Sequence, residues 1–338
     1  MKKSGTVSLV MALFLLAGVA VAAPGTEGKR KTFGLILNGG MSFIEGGHLN
    51  LMVRQMNLAV ANIEDPNTTG AIDWKEFRGV PRIGAEILYY VSDRFALGLG
   101  FEVLKKKNIG AIGLDRSWTE DHDYGDSAEH VEFQFATTLQ PENTLSAVPL
   151  TLSATYFVPV GKLGRAFVRA GIGYYMARFK SLYPFDSQSD YRIEEYYLGS
   201  LTDVYTEEST ITSTYTDESK VNGLGFHGGL GFEFDLSKTL AVICESGVRV
   251  ADLRNWTGSG KETSEYWSRF GWQSSGLEEY SDSDISEYKG ELIYAPDAGI
   301  ENGSLVLVED VHWELEGARP AVIKLGGFTF RVGFMIRF

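Results

Sequence analysis

The chain has 338 residues, a formal net charge of −13 and a single cysteine, Cys244. One thiol excludes an internal disulfide, so an exported chain of this kind must be stabilised without one. The acidic balance and the lack of a concentrated basic patch argue against nucleic-acid binding.

The first 22 residues have the pattern of a secretory signal peptide. Lys2 and Lys3 precede an apolar run that ends in the small residues Ala20-Val21-Ala22. A retained membrane anchor is the rival interpretation, but the run is short for a span and ends in an A-x-A cleavage pattern. We expect residues 1–22 to be removed on export and residues 23–338 to form the mature domain.

Eight later segments alternate large apolar residues with small or charged ones, which is the pattern of strands with two different faces. They lie near 31–43, 80–92, 94–106, 145–158, 164–178, 222–234, 239–252 and 323–338. The second face is rich in glycine, whereas the exposed face of a soluble sandwich would carry more Lys, Glu and Thr. The glycine-rich face suits the cramped interior of a small barrel, and the apolar face suits contact with lipid. Because every backbone group must pair in a bilayer, such strands must close on themselves, so the pattern predicts a closed barrel.

The connections between these segments alternate between long and short. Short ones lie near 92–93, 159–163 and 235–238, and long ones near 44–79, 107–144, 179–221 and 253–322. Short periplasmic turns and long external loops are typical of transmembrane barrels. The predicted fold is therefore all-β: an eight-stranded antiparallel up-and-down transmembrane β-barrel with long extracellular loops.

Some stretches inside the long loops also alternate, at 129–139, 191–199 and 304–315. We interpret them as strand extensions or hairpins that project beyond the bilayer. Counting two of them in the barrel gives an alternative with ten strands. In the first long loop, Leu49, Met52, Val53, Met56 and Val60 follow helical spacing, which predicts a short helix at the rim or over the mouth.

The last strand, "FTFRVGFMIRF", places Phe334, Ile336 and Phe338 on one face. With these features the chain resembles the bacterial outer-membrane β-barrel superfamily, in particular the small eight-stranded barrels of OmpA, OmpX and OmpW type. The resemblance implies the outer membrane of a Gram-negative-type bacterium, with the loops extracellular and with outer-membrane lipid and lipopolysaccharide around the barrel. It also implies that the barrel assembly machinery recognises the three terminal apolar residues.

Charged residues recur on the inward-facing rows. Isolated charges are costly to desolvate, so we expect them to pair in an ion-pair network that plugs the lumen. The predicted network comprises Arg82, Glu86, Glu102, Arg169, Glu233, Glu245, Arg249 and Arg331. His227 is expected to be a satisfied interior histidine, and Arg337 to lie at the periplasmic mouth. A gated narrow pore is the alternative.

The long loops carry most of the acidic charge. The segments 107–143, 181–219 and 253–321 hold 31 acidic and 8 basic residues, a balance of −23, and all six tryptophans lie in loops. Large aromatic residues are uncommon in flexible tethers, so we expect partial order there. Asp282, Asp284 and Glu287 lack the spacing and turn glycine of a calcium loop, and neither a metal nor a cofactor is predicted.

Three classes of function fit this architecture. A plugged barrel with a structural or surface-interaction role, in adhesion, recognition or envelope integrity, is preferred, and its surface ligand is unknown. An OmpW-like narrow transporter for a small solute is the alternative. An outer-membrane enzyme would need convergent catalytic groups, and no motif links His122, His130 and His312 to a nucleophile, so the chain is not expected to be an enzyme.

Overall fold

A computed structural model describes residues 32–161, 164–295, 304–308 and 317–338. The predicted signal peptide and His312 lie outside these ranges. The one helix in the described residues is α1 (His48–Ala61). The strands are β1 (Phe33–Ile44), β2 (Thr68–Asp73), β3 (Gly79–Ser92), β4 (Phe95–Ile109), β5 (Ala111–Asp123), β6 (Ser127–Leu139), β7 (Glu142–Pro159), β8 (Gly164–Tyr197), β9 (Ser200–Asp235), β10 (Leu240–Val250), β11 (Asp252–Leu253), β12 (Thr257–Trp272), β13 (Glu278–Ala295), β14 (Ser304–Val308), β15 (Arg319–Pro320), β16 (Ile323–Lys324) and β17 (Gly327–Arg337).

Strand pairing closes part of the sheet into a ring. In order, β1, β3, β4, β7, β8, β9, β10 and β17 each pair antiparallel with the next, and β17 pairs back with β1. The backbone N–H groups of Phe33 and Phe338 donate to each other's carbonyl oxygens, at 3.1 and 3.0 Å, and complete the seam. The structure is therefore an all-β antiparallel barrel.

Short turns join β3 to β4, β7 to β8 and β9 to β10 at one end of the ring, which is called the turn end here. The opposite end is the loop end. There β8 and β9 continue far past the ring and remain paired from Gly164 and Phe234 up to Tyr197 and Ser200. Leu198 and Gly199 close this hairpin with φ values of 51° and 77°, the left-handed conformations of a type I′ turn.

Further strands add to both sides of the extended hairpin and form an open sheet, called the projecting sheet. Its order is β2-β5-β6-β8-β9-β12-β13-β14. The predicted strand number was too low, because the described residues form one 15-stranded sheet and a separate two-stranded one. The alternative of ten was also too low. The loops near 107–144, 179–221 and 253–322 are mostly strand, because hydrogen bonds from the extended hairpin continue into them.

Helix α1 follows β1 directly and lies over the loop end of the barrel. Leu49, Met52 and Val53 are buried, in agreement with the predicted apolar face. The Asn50 side chain fixes the helix by accepting a hydrogen bond from the Phe77 N–H at 2.6 Å and donating one to the Phe77 carbonyl at 3.1 Å. Within the described ranges, no helix combines the length and apolar character needed to cross a bilayer.

Candidate functional site: barrel lumen and projecting sheet

The outer wall of the ring is apolar and exposed. Its outward rows include Leu37, Leu99, Leu152, Val168, Leu224, Leu230 and Phe334, each more than two-fifths exposed. Monomeric soluble proteins rarely expose contiguous apolar surface on this scale, since it would cost about 25 cal/mol for each Å² left in water. The wall is therefore suited to an apolar solvent.

Aromatic residues gather on the outer wall at the turn end. Phe33 lies 5.4 Å from Tyr89 and 6.4 Å from Phe338, measured between ring centroids. Phe334 and Ile336 lie in the outward row of β17, which Phe338 continues just past the strand, and they are 57% and 43% exposed. All three residues of the predicted assembly signal thus lie on the outer surface beside the seam.

Two arginines share one carboxylate in the middle of the lumen. Arg82 of β3 donates to one oxygen of Glu102 and Arg249 of β10 donates to the other, both at 2.5 Å. Arg249 also lies 5.7 Å from the ring centroid of Tyr175, near enough for a cation–π contact. All three ion-pair members are buried, so this part of the predicted network is assembled from three separate strands.

A second group of charges lies beside the first. Arg169 of β8 donates to Glu86 and lies 3.6 Å from Glu245. Arg331 of β17 bridges the same two carboxylates, at 3.3 Å from Glu86 and 2.7 Å from Glu245. Ser153 donates a further hydrogen bond to Glu86 at 2.7 Å. Each carboxylate therefore has two cationic partners, which compensates for its removal from water.

Glu233 does not join this central network. It lies at the turn end, where Arg165 donates to it at 2.6 Å and Arg337 also donates to it. The Arg165 guanidinium stacks 4.0 Å above the ring of Phe157. Asp235 is a further partner of Arg337. Arg337 was predicted at a mouth of the barrel and Glu233 in the central network, but the two residues pair with each other at the turn end together with Arg165.

Apolar side chains occupy the lumen on both sides of the central charges. Toward the turn end, a small cluster is formed by Ile36, Leu88, Ala96, Phe157, Phe167, Ala241, Ile243 and Met335. Toward the loop end, a larger cluster joins α1 to residues of the wall and of the loops, and its buried members include Trp74, Tyr175, Leu253 and Trp256. Trp256 is fully buried and donates its indole N–H to the Leu253 carbonyl at 3.1 Å.

Little space remains between the charged groups. The cavity bordered by Arg82, Glu86, Glu102, Arg169 and His227 has a volume of about 20 Å³, close to the minimum that holds a single water molecule. Small inward residues make this packing possible. A Cβ added at Gly171 would lie 2.6 Å from the His227 ring.

The projecting sheet carries a row of aromatic residues across five adjacent strands. The row comprises Trp118 of β5, Phe133 of β6, Tyr191 of β8, Tyr205 of β9 and Trp272 of β12. Successive ring centroids are 5.8, 6.5, 6.3 and 5.4 Å apart, and the last three contacts are edge-on. Such pairs stabilise a sheet by about 0.5–1.5 kcal/mol each beyond the area that they bury. The rings are only half-buried and so also present a surface.

The strand register places this aromatic row on the face continuous with the barrel interior. Glu207 lies opposite Tyr191 on this face. Glu120 follows two residues after Trp118 on β5 and lies opposite Val131. The row is therefore flanked by carboxylates within a strongly acidic part of the chain.

The opposite face of the same sheet holds His130. His130 Nδ1 lies 2.5 Å from an Asp121 carboxylate oxygen, and Nε2 lies 3.4 Å from Glu132. These hydrogen bonds, with that to Asp121 the stronger, raise the pKa of His130 above its ordinary value. His122 points to the other face, 3.9 Å from Glu120. Within the described ranges, no three potential metal ligands come together.

No family model matches the chain, and no curated protein matches it. Among solved structures, it is similar to the outer membrane protease OmpT from Escherichia coli, at 10% identity and a TM-score of 0.25, covering 93% of this chain and 100% of that one. It is also similar to a Pseudomonas aeruginosa FadL homologue, at 8% identity and a TM-score of 0.17, covering 90% of each chain. Scores this low carry no argument about the family or the mechanism of this chain.

Two parts of the site were not anticipated from the sequence. The aromatic row was missed because its members are distant along the chain, and only the register brings them together. Arg165 was missed because its strand was predicted to begin at residue 164. A charged residue so close to a strand end could not be assigned to the inner or the outer face. Period-two spacing from Arg169 back to Arg165 and Phe167 was the available signal.

Proposed function

We propose that the chain is an outer-membrane β-barrel protein with a plugged lumen and a surface-interaction role. The apolar outer wall, the aromatic residues at the turn end and the closed ring support the location. In this orientation the turn end faces the periplasm and the projecting sheet stands outside the cell. We further propose a likeness to small OmpX-like barrels, in which strands continue beyond the membrane.

The lumen supports a structural rather than a conducting barrel. Within the described residues, charged groups fill the middle of the lumen around a cavity of about 20 Å³, and apolar clusters lie on both sides of them, which supports a plugged lumen. Planar-bilayer recording of the purified protein tests this point, and we expect steady closure at neutral pH. Sustained conductance steps would favour the narrow transporter instead. We propose no catalytic role.

The observation that carries the interaction role is the aromatic row on the projecting sheet. Half-exposed rings flanked by Glu120 and Glu207 match a cationic polypeptide, because aromatic faces and carboxylates both attract Arg and Lys. We propose that a basic extended segment of a partner protein lies across this row. The high negative charge of the surrounding strands would speed its approach.

A titration with a short oligo-arginine peptide tests this proposal, with oligo-glutamate as the charge control. Tryptophan fluorescence reports binding, since Trp118 and Trp272 belong to the row. The double variant Phe133→Ala, Tyr191→Ala should weaken binding at least fivefold. Trp267→Ala, which removes an aromatic residue from the opposite face, should leave it unchanged. Unchanged binding in both variants would show that only bulk charge is recognised, and equal loss in both would show that the row has no special part in binding.

A further inference from the structure

A belt of cations lies on the outer wall at the loop end. Lys105 of β4, Arg178 of β8 and Lys220 of β9 each occupy the first charged outward position beyond the apolar residues of their strand. Lys105 pairs in register with Ser146, Ser146 with Arg178, and Arg178 with Lys220. The cations therefore lie at one level, across four adjacent strands about 14 Å wide.

A second row continues the belt two residues further along the same strands. It holds Lys107 and Lys180, with Thr144 between them in the register. Lys107 pairs with Glu142 at 2.7 Å. The other acidic residue of the belt is Glu218, which forms ion pairs with Arg178, with Lys180 at 3.0 Å and with Lys220 at 3.2 Å. Five cations against two carboxylates leave the belt with an excess of three positive charges.

This excess is unusual for its surroundings, because the adjoining segments carry a balance of −23. The cations are also accessible. Arg178, Lys180 and Lys220 have side chains that are 44%, 50% and 69% exposed. Directly below them the wall is apolar, with Tyr174 and Met176 in the outward row of β8. A ligand for this surface should therefore have an anionic head and an apolar body.

We propose that the belt binds the phosphate of a lipid headgroup in the outer leaflet, an inference that rests on the proposed membrane location. The acyl chains would lie along the apolar rows. Arg178 offers a planar fork of donors suited to phosphate, the lysines add point charges, and the hydroxyls of Ser146 and Thr144 lie between them. Basic side chains at a membrane surface attract anionic lipid by an amount that corresponds to roughly fivefold in binding per charge.

Glu218 provides an internal control for this proposal. Burial raises its pKa, but hydrogen bonds from Arg178, Lys180 and Lys220 outweigh that effect and lower the pKa to about 2. The carboxylate is therefore charged at neutral pH and opposes a bound phosphate. Glu218→Gln should strengthen lipid binding, whereas removing two cations should weaken it. A general loss of structure could not produce effects of opposite sign.

The test uses the full-length mature chain in phosphatidylcholine nanodiscs, titrated with phosphatidic acid of the same acyl chains. Native mass spectrometry counts the lipids retained by the protein. We expect selective retention of phosphatidic acid, several-fold greater in Glu218→Gln and at least fivefold weaker in the double variant Arg178→Gln, Lys180→Gln. The control Arg192→Gln, Arg269→Gln removes two cations from the same face nearer the tip and should behave as the wild type.

Each other outcome has a definite meaning. Retention that is equal for both lipids, or that falls equally in the control variant, overturns the headgroup site while leaving the membrane location intact. Inorganic phosphate that displaces the lipid at low concentration would identify an ion site and overturn the lipid assignment. A chain that stays in the aqueous fraction without entering nanodiscs would overturn the proposed function itself.

Discussion

Arg169 of β8 and Glu86 of β3 form an ion pair across the lumen, between strands that are three places apart in the ring. Because Arg169 also lies 3.6 Å from Glu245, Arg169→Met would leave two buried carboxylates with one remaining arginine, Arg331. We expect a loss of about 3–5 kcal/mol in the free energy of unfolding, measured by urea unfolding in lipid vesicles.

The matched control for that substitution is Arg269→Met. Arg269 lies 4.0 Å from Glu279 on the projecting sheet, and both side chains are about half exposed or more. Exposed pairs contribute little, so the change should stay within about 0.5 kcal/mol. Similar losses in the two variants would mean that the central network does not hold the barrel together.

Helix α1 should help to keep the lumen closed at the loop end of the barrel. Leu49 is fully buried in the larger apolar cluster, so Leu49→Ala should cost about 2–5 kcal/mol and introduce brief openings in bilayer recordings. Leu58, on the same helix, is 58% exposed. Leu58→Ala keeps the helix propensity and should affect neither stability nor conductance. Openings in both variants would place the cause in the helix itself rather than in its buried face.

Glycine on the inner wall makes room for the charges. A Cβ at Gly98 would overlap the carboxylate of Glu86 and the hydroxyl of Ser153, whereas a Cβ at Gly113 of β5 would meet nothing within 4 Å. Gly98→Ala should therefore destabilise the barrel by about 1–3 kcal/mol. Gly113→Ala should be neutral within about 0.5 kcal/mol. Denaturant midpoints in vesicles compare the two, and the prediction is wrong if they coincide.

The β5–β6 hairpin should respond to pH through His130. Since its pKa is raised, mainly by the hydrogen bond to Asp121, the protonated ring adds stability that is fully present below the unfolded value of about 6.5. That stability is lost as the pH rises through the higher folded value. An NMR titration should show His130 ionising above 6.5, and Asp121→Asn should bring the value back down.

Glu129→Gln is the control for this titration, because Glu129 is adjacent in the chain but points to the opposite face of β6. It should leave the titration of His130 nearly unchanged. Amide exchange in β5 and β6 provides the second measurement, and protection there should fall as the pH rises above neutrality. A His130 that titrates at its ordinary value in the wild type would refute the ion-pair geometry.

The two faces of the barrel strands were predictable from sequence because the apolar outer wall and the lumen hold different kinds of residue. Leu224, Phe226 and Leu230 face outward, whereas His227 and Glu233 face inward, with a period of two along the chain. The rim helix was predictable for the same reason, since Leu49, Met52 and Val53 form one apolar stripe. When one side of a strand or helix is apolar and the other is not, its apolar residues recur with the period of that element.

The projecting sheet was harder to predict because both of its faces meet water. Residues 206–216 of β9 alternate little in polarity, so neither the start of the strand nor its partners could be inferred. The pairing of Tyr205 with Trp272 depends on the register between β9 and β12, which are joined in sequence only through the barrel wall. The folded hairpin sets this long-range register. The local residue pattern therefore does not indicate which residues of the two strands pair.

The long pairing of β8 with β9, in which the register shifts only between Glu195 and Tyr196 near the turn, has a mechanical consequence. A pull on the turn at Leu198 and Gly199 would draw both strands in the same direction, away from their wall neighbours β7 and β10. The load would then act in shear on many interstrand hydrogen bonds at once, instead of opening them one after another. Because the ring anchors the hairpin, the projecting sheet would be stiff and would resist a force applied at its tip.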